Sequence, residues 1–347
     1  MGPVTLDLFC GAGGLSLGLT GAGFHVAFAY EWDSDCCTTF ASHHPHTYLR
    51  EEDISTSDFT TYRGHVQLVV GGPPCQPFST GGKGLAANDR RDCIPHFVRA
   101  VALIAPQAFL MENVPGLVQR SHLPYFQRVL HEMETLGYSV NWKVLNAADF
   151  GVPQKRRRLF IVGLRGGTFR FPQPTHGPGC PQPWVPAGTY VSTERIIGDP
   201  NPSIVTYARV PDLRPCPFDG HVFNGGGRPV DLTRPAPTIL AAAGGNKTHW
   251  LDTQGIVSEY HASLLAGGVP REGVVPGARR LTVAESALLQ SFPQSIHFAG
   301  KRSSQYSQVG NAVPPLLAEA LGAELLRQCT WDGDTVPLEG IHVVLHK

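Results

Sequence analysis

Short apolar runs alternate with amphipathic stretches through the first half of the chain. Val4–Phe9, His25–Tyr30, Val66–Val70, Ala108–Met111, Ser139–Leu145 and Leu159–Gly163 predict strands, with a shorter one at Thr47–Leu49. Leu15–Leu19, Ser34–Phe40, Cys93–Leu103 and Pro124–Leu136 predict helices. Alternation of this kind predicts an α/β fold with a doubly wound, mostly parallel sheet over residues 1–165. From about Gly166 to Arg279 helical periodicity fades while Pro, Gly and Thr rise, which predicts a smaller, loop-rich, partly β domain over 166–279. Helical periodicity returns at Thr282–Ser291 and Pro315–Arg327, so 280–330 is expected to complete the first domain and 331–347 to form a tail.

Composition narrows the function classes. Apolar residues make up 42% of the 347, enough for a sizeable core, and charged residues only 16%. Lys plus Arg and Asp plus Glu both number 28, so a nucleic-acid partner has to be held by a local basic face. None of the eight cysteines forms a C-x-x-C pair, which argues against a zinc site and leaves no metal expected. A strand-like run begins almost at once and no apolar stretch is long enough for a bilayer, so a cytoplasmic protein without a membrane anchor is expected.

Asp7-Leu8-Phe9-Cys10-Gly11-Ala12-Gly13-Gly14 joins a strand to a helix through glycines, a turn that brings backbone N–H groups close to a ligand. Glu31 follows Gly13 by roughly the ~20 residues expected of a carboxylate that accepts ribose hydroxyls. Trp32 beside it suits an adenine ring, and Asp53-Ile54 an adenine amine. These residues predict a nucleoside cofactor and leave NAD and S-adenosylmethionine both open; a plain tight turn is the alternative for the glycines alone.

Gly71-Gly72-Pro73-Pro74-Cys75 carries a thiol at the end of a buried strand, on a backbone that two prolines fix. A packing cysteine needs no such mounting; a nucleophile does. Glu112 ends another strand behind apolar residues, where desolvation favours a proton on the carboxyl. In Gln154-Lys155-Arg156-Arg157-Arg158, strand alternation would put Arg156 and Arg158 on one face, suited to a phosphate or base carbonyl; a solvated charge run is the bland alternative.

The ordered segments Asp7–Gly14, Gly72–Ser79, Glu112–Val114, Gln154–Arg158, Leu281–Pro293 and Gly310–Pro315 together resemble the DNA (cytosine-5) methyltransferases of prokaryotic restriction-modification systems. The resemblance implies S-adenosyl-L-methionine as cofactor, S-adenosyl-L-homocysteine as product and double-stranded DNA as partner. Cys75 would add to C6 of a flipped-out cytosine, Glu112 would engage N3 and the exocyclic amine, and Arg158 with Arg156 would contact O2 and the catalytic loop. Phe9, Gly11, Ala12, Gly13, Glu31, Trp32, Asp53, Ile54 and Pro74 match the family's cofactor contacts, joined by Asn311, Ala312 and Val313. Gln76, Ser79, Lys83, Arg91 and Gln154 fall among its DNA contacts, and Gln76–Arg91 reads as a lid that closes over DNA. Pro95 departs from the usual helix start, which predicts only a shifted boundary.

Asn224-Gly225-Gly226-Gly227-Arg228 lies ten residues before Thr238. By the same resemblance Arg228 would read a guanine and Thr238 would hold a phosphate, although an ordinary hairpin has similar glycines. The expectation is a stand-alone, monomeric, nucleoid-associated modification enzyme. An RNA methyltransferase on the same scaffold is a rival, but no Cys-Phe-Thr signature occurs in the recognition region. An inactive DNA-binding homologue is a second rival, disfavoured by the intact Cys75 and Glu112 motifs.

Overall fold

Seven of the apolar runs pair into one sheet: β1 (Val4–Leu8), β2 (His25–Glu31), β3 (Tyr48–Glu51), β4 (Leu68–Gly71), β5 (Ala108–Asn113), β6 (Ser139–Asn146) and β7 (Arg157–Leu164), in the order β3-β2-β1-β4-β5-β7-β6. A computed structural model describes residues 2–74, 92–220, 222–224, 226–241 and 245–331. Strands β3 through β5 pair in parallel, and β7 pairs antiparallel with both β5 and β6. The sheet is therefore mostly parallel, as expected. The central strands β1, β4 and β5 are buried at every position, and their side chains are apolar except for Thr5, Asp7, Glu112 and Asn113.

Helices α1 (Gly14–Ala22), α2 (Ser34–His43), α3 (Ile94–Ile104) and α4 (Leu123–Thr135) fill the crossovers. Pro95 sits in the first turn of α3, where the missing N–H costs nothing, and the helix starts at Ile94. Phe97, Val101 and Ile104 of α3 and Phe126, Val129 and Met133 of α4 pack on β4 and β5 through one shared core with Phe109 and Met111. Close approach leaves no room at Gly163 on β7, where a Cβ would fall 2.0 Å from the Phe109 ring.

The chain divides into two compact units: 1–146, 157–173 and 317–347 form one, and 147–156 with 174–316 the other. The second unit thus takes in 280–316, which the sequence pattern joins to the sheet domain. It has its own small aromatic core of Tyr207, Phe223, Trp250 and Tyr260 around β8 (Thr206–Tyr207), β9 (Phe223–Asn224) and β10 (Trp250–Asp252). β10 pairs antiparallel with β11 (Ala278–Arg280).

Two helices of this unit were not expected from the pattern: α5 (Ile256–Leu265) and α7 (Arg302–Asn311); α6 (Val283–Leu289) starts in a Thr282/Glu285 capping box. The chain re-enters the sheet unit along α8 (Pro315–Gln328).

With so little ladder pairing, loop carbonyls in this unit are gathered by buried side chains. Arg280, 1% exposed, donates to Thr248 O, Ile204 O and Gly226 O at 2.6, 3.0 and 3.3 Å. Among the described residues no helix is long and apolar enough to cross a membrane.

Candidate active site

The turn after β1 has alternating left-handed residues: Phe9 (φ 61°), Gly11 (φ 52°) and Gly13 (φ 81°). A bulky residue such as Phe9 is rarely found there, and such strain concentrates at ligand sites. Gly13 caps α1 with no side-chain partner, so the first-turn N–H groups stay available to a ligand. A Cβ on Gly11 would meet nothing within 4 Å, so the turn borders open space rather than packed protein.

Glu31, at the end of β2, faces this turn. Its Oε2 accepts from the Gly11 N–H at 2.9 Å, while Oε1 accepts from Trp32 N and Asp33 N. Burial raises its pKa despite those three donors. Trp32 stands 74% exposed, an aromatic face left for a planar ligand.

Asp53 lies on the surface and Ile54 is buried beneath it; their loop is clamped by Arg99 of α3, which donates to the Ile54 and Ser57 carbonyls. Phe9, Gly11, Ala12, Gly13, Glu31, Trp32, Asp53, Ile54 and Pro74 all belong to the sheet unit. Asn311, Ala312 and Val313 belong to the other, at the C-terminal end of α7, where Gln290 holds the Val309 and Ala312 carbonyls. Gly310 and Asn311 form the last turn of this helix.

Three supports of the turn after β1 were given no role by sequence reasoning. His43 and His44 close α2 and donate from Nε2 to the Ala12 and Gly13 carbonyls at 3.0 and 3.4 Å. Burial lowers the pKa of both, His44 to about 4 with help from its neighbour His43, so both are neutral at pH 7. Asp7 is the third. Its Oδ2 accepts from Ser16 Oγ at 2.6 Å, Oδ1 has no hydrogen-bond partner among the described residues, and burial pushes its pKa up to about 7. The His-His pair at the end of a predicted helix was the available signal; for Asp7 it was a carboxylate inside an apolar strand.

Glu112 and Asn113 end β5. Asn113 donates to the Pro73 carbonyl at 3.1 Å and so fixes the proline run that leaves β4. Gly72 approaches Glu112 closely enough that a Cβ would come 3.1 Å from Oε2. The other oxygen, Oε1, lies 3.1 Å from Nε of Arg158 on β7. Glu112 is therefore not the solitary desolvated carboxyl that its sequence context suggests. Its ion pair with Arg158 places a guanidinium and a carboxylate side by side at the carboxyl ends of β4 and β5, and burial lowers the Arg158 pKa against the pull of Glu112. Cys75, Gln76, Ser79, Lys83 and Arg91 lie outside the described residues.

Two expectations need correction. Arg156 does not share a face with Arg158. Strand pairing begins at Arg157, and Arg156, fully buried, donates to Ile239 O and Gly310 O at 3.1 and 2.7 Å within the second unit. Gln154 is equally buried; its amide donates to Leu289 O and Gln290 Oε1 and accepts from Ile239 N. It braces the Thr238–Ile239 segment from behind and has no surface to offer DNA.

Arg228 and Thr238 do come together in the second unit. They line a cavity of about 290 Å³ with Lys155, Asp219, Arg234 and His249. His249 ties them: Nδ1 accepts from Arg228 N at 2.8 Å, and Nε2 donates to Thr238 O at 3.0 Å. The Thr238 hydroxyl donates to Lys155 O at 2.6 Å, so its proton is already engaged.

A strand order of 3-2-1-4-5-7-6, with a glycine turn after β1 and an acidic residue ending β2, defines the methyltransferase class of α/β folds. Within that class the chain belongs to the family of C-5 cytosine-specific DNA methylases, whose model matches residues 4–189 and 239–327, and it is a DNA cytosine-5 methyltransferase of Type II restriction-modification type. It is 34% identical over 340 residues to the Type II methyltransferase M1.HphI of Haemophilus parahaemolyticus, covering 94% of this chain and 87% of that one. Against M.AplI of Arthrospira platensis the identity is 33%, over 92% of this chain and 84% of the relative. In fold it resembles the Dnmt2 methyltransferase of S. pombe, with TM-score 0.69 at 16% identity over 94% of this chain and 98% of that one.

Proposed function

We propose that this enzyme methylates C5 of a cytosine flipped out of a short, specific duplex sequence, with Cys75 as nucleophile and S-adenosyl-L-methionine as donor. The observation that carries the reading is the Glu112–Arg158 pair against Gly72, at the strand end that leads into Gly72-Pro73-Pro74-Cys75. A thiolate added to C6 needs the ring to accept an electron pair. Glu112 answers this through the N3 and exocyclic amine edge, and Arg158 supplies positive charge where density builds on O2. The addition leaves C5 nucleophilic. Uptake of a methyl group at C5, loss of the C5 proton and departure of Cys75 then restore the aromatic ring. Flipping costs a few kcal/mol, roughly, because a stacked cytosine shields both faces from a thiol.

The open space at Gly11, the uncapped start of α1, the Glu31 carboxylate and the exposed Trp32 fit a nucleoside cofactor with a ribose diol and an adenine. Bound there, S-adenosyl-L-methionine supplies an electrophilic methyl group. Host-DNA protection in the cytoplasm follows from the restriction-modification relatives. Duplex DNA carrying 5-fluorocytosine at the target tests the chemistry, since fluorine cannot leave as a proton does. A covalent complex that maps to Cys75 and is lost in Cys75→Ala is expected. Full turnover by Cys75→Ala would remove the nucleophile from this account.

A further inference from the structure

We propose that Arg234 is a second base-reading residue, oriented by Asp231 to take the O6/N7 edge of a guanine. This deepens the reading of the second unit as the DNA-contacting one and rests on it. Asp231 is a fixed carboxylate: Oδ1 accepts from Thr233 N and Oγ1 at 2.9 and 2.7 Å, and Oδ2 lies 2.7 Å from Nε of Arg234. Its side chain is only 11% exposed, whereas that of Arg234 is 47% exposed. An ordinary surface ion pair would leave both partners wet and would cost entropy to hold. Here the anchor is mostly covered and the guanidinium projects, held by Asp231 through Nε, with Nη1 4.0 Å from Asp219 and Nη2 as the second terminal donor.

Charge in the cavity selects between a phosphate and a base. Asp219, 62% exposed, has a carboxylate oxygen 4.0 Å from Nη1 of Arg234. A phosphate arriving there would meet that negative charge, whereas a guanine edge is neutral and presents two adjacent acceptors to two N–H donors. Arg228 lines the same cavity and His249 fixes its backbone, so two arginines border one space. Both lie in 190–238, the stretch between the two segments that match the family model.

The test begins by locating the methylated sequence, through bisulfite sequencing of plasmid treated with the enzyme. Each guanine of that site is then replaced in turn by 7-deazaguanine, which lacks the N7 acceptor, and duplex affinity is measured for the wild type, Arg228→Ala and Arg234→Lys. The wild type is expected to lose about 10- to 100-fold at two guanines. Arg234→Lys keeps the charge but not the paired donors. It should become insensitive at one of the two guanines while its dependence on salt stays unchanged. A phosphate clamp would give the opposite pattern: Arg234→Lys would keep the wild-type response at every guanine, and Arg234→Ala would flatten the salt dependence by about one charge. That pattern, or a site with a single guanine, overturns the proposal while Arg228 still responds. If neither arginine affects binding, the proposal falls together with the assignment of this unit to DNA.

Discussion

Residues proposed to do chemistry were easier to find than residues that hold them. Glu112 and Arg158 stood out in the sequence as polar groups at strand ends, and they meet at 3.1 Å. Arg156 and Gln154, read from the same run as contacts with the substrate, are buried braces, because an Arg or Gln beside a strand looks the same whether it faces solvent or a neighbouring loop's carbonyls. Asp7 was read only as the start of the glycine turn; its state is set chiefly by burial, with Ser16 pulling the pKa down and Glu31 pushing it up. Its folded pKa of about 7 lies above the ordinary 3.8, so the folded protein holds this proton between pH 4 and 7 while the unfolded chain has released it. The stability linked to this proton is full below the unfolded value and is lost as pH rises through about 7. Urea unfolding at pH 5 and 8 should therefore show the wild type losing about 2–3 kcal/mol more than Asp7→Asn over that interval. Parallel losses would mean that Asp7 is ionised in the folded state.

At the scale of elements, periodicity found the strands and helices of the sheet unit within a few residues, because each buries a continuous apolar face. It missed α7, whose sequence is polar. The positions it buries are Tyr306, Gln308, Val309 and Gly310, and only two of these are apolar side chains. It missed α5 because a stripe of Val257, Tyr260 and Leu264 spans barely two turns and follows a glycine. The insertion of β7 between β5 and β6 was likewise not legible, since antiparallel register leaves no trace in the order of strands. Loops in the second unit hold their places through guanidiniums, not ladders. Arg280→Met should accordingly cost about 3 kcal/mol or more, since the carbonyls of Ile204, Gly226 and Thr248 lose a charged donor. A urea midpoint within error of the wild type would show that water replaces the guanidinium without penalty.

The whole molecule poses the choice of substrate, and fold does not decide it. The Dnmt2 neighbour shares the fold at 16% identity, a level at which only the architecture is comparable. Sequence likeness discriminates better: M1.HphI and M.AplI align over more than 90% of this chain. Lys155, Arg228 and Arg234 share a cavity with Asp219 and Asp231, and this mixture of signs suits hydrogen-bond reading better than a uniform grip on phosphates. The deep, narrow major groove of an RNA helix does not offer its guanine edges to side chains, whereas the DNA major groove does. Methyl groups from labelled S-adenosyl-L-methionine should therefore enter duplex DNA at one short sequence and leave tRNA unlabelled under the same conditions. Bisulfite sequencing of the product should show that sequence fully converted to 5-methylcytosine, with little at sites that differ by one base pair, since a single lost bidentate contact costs about 1–3 kcal/mol. Comparable labelling of tRNA would mean that the cavity reads an unpaired loop instead of a groove, and the roles given to Arg228 and Thr238 would then have to be reassigned.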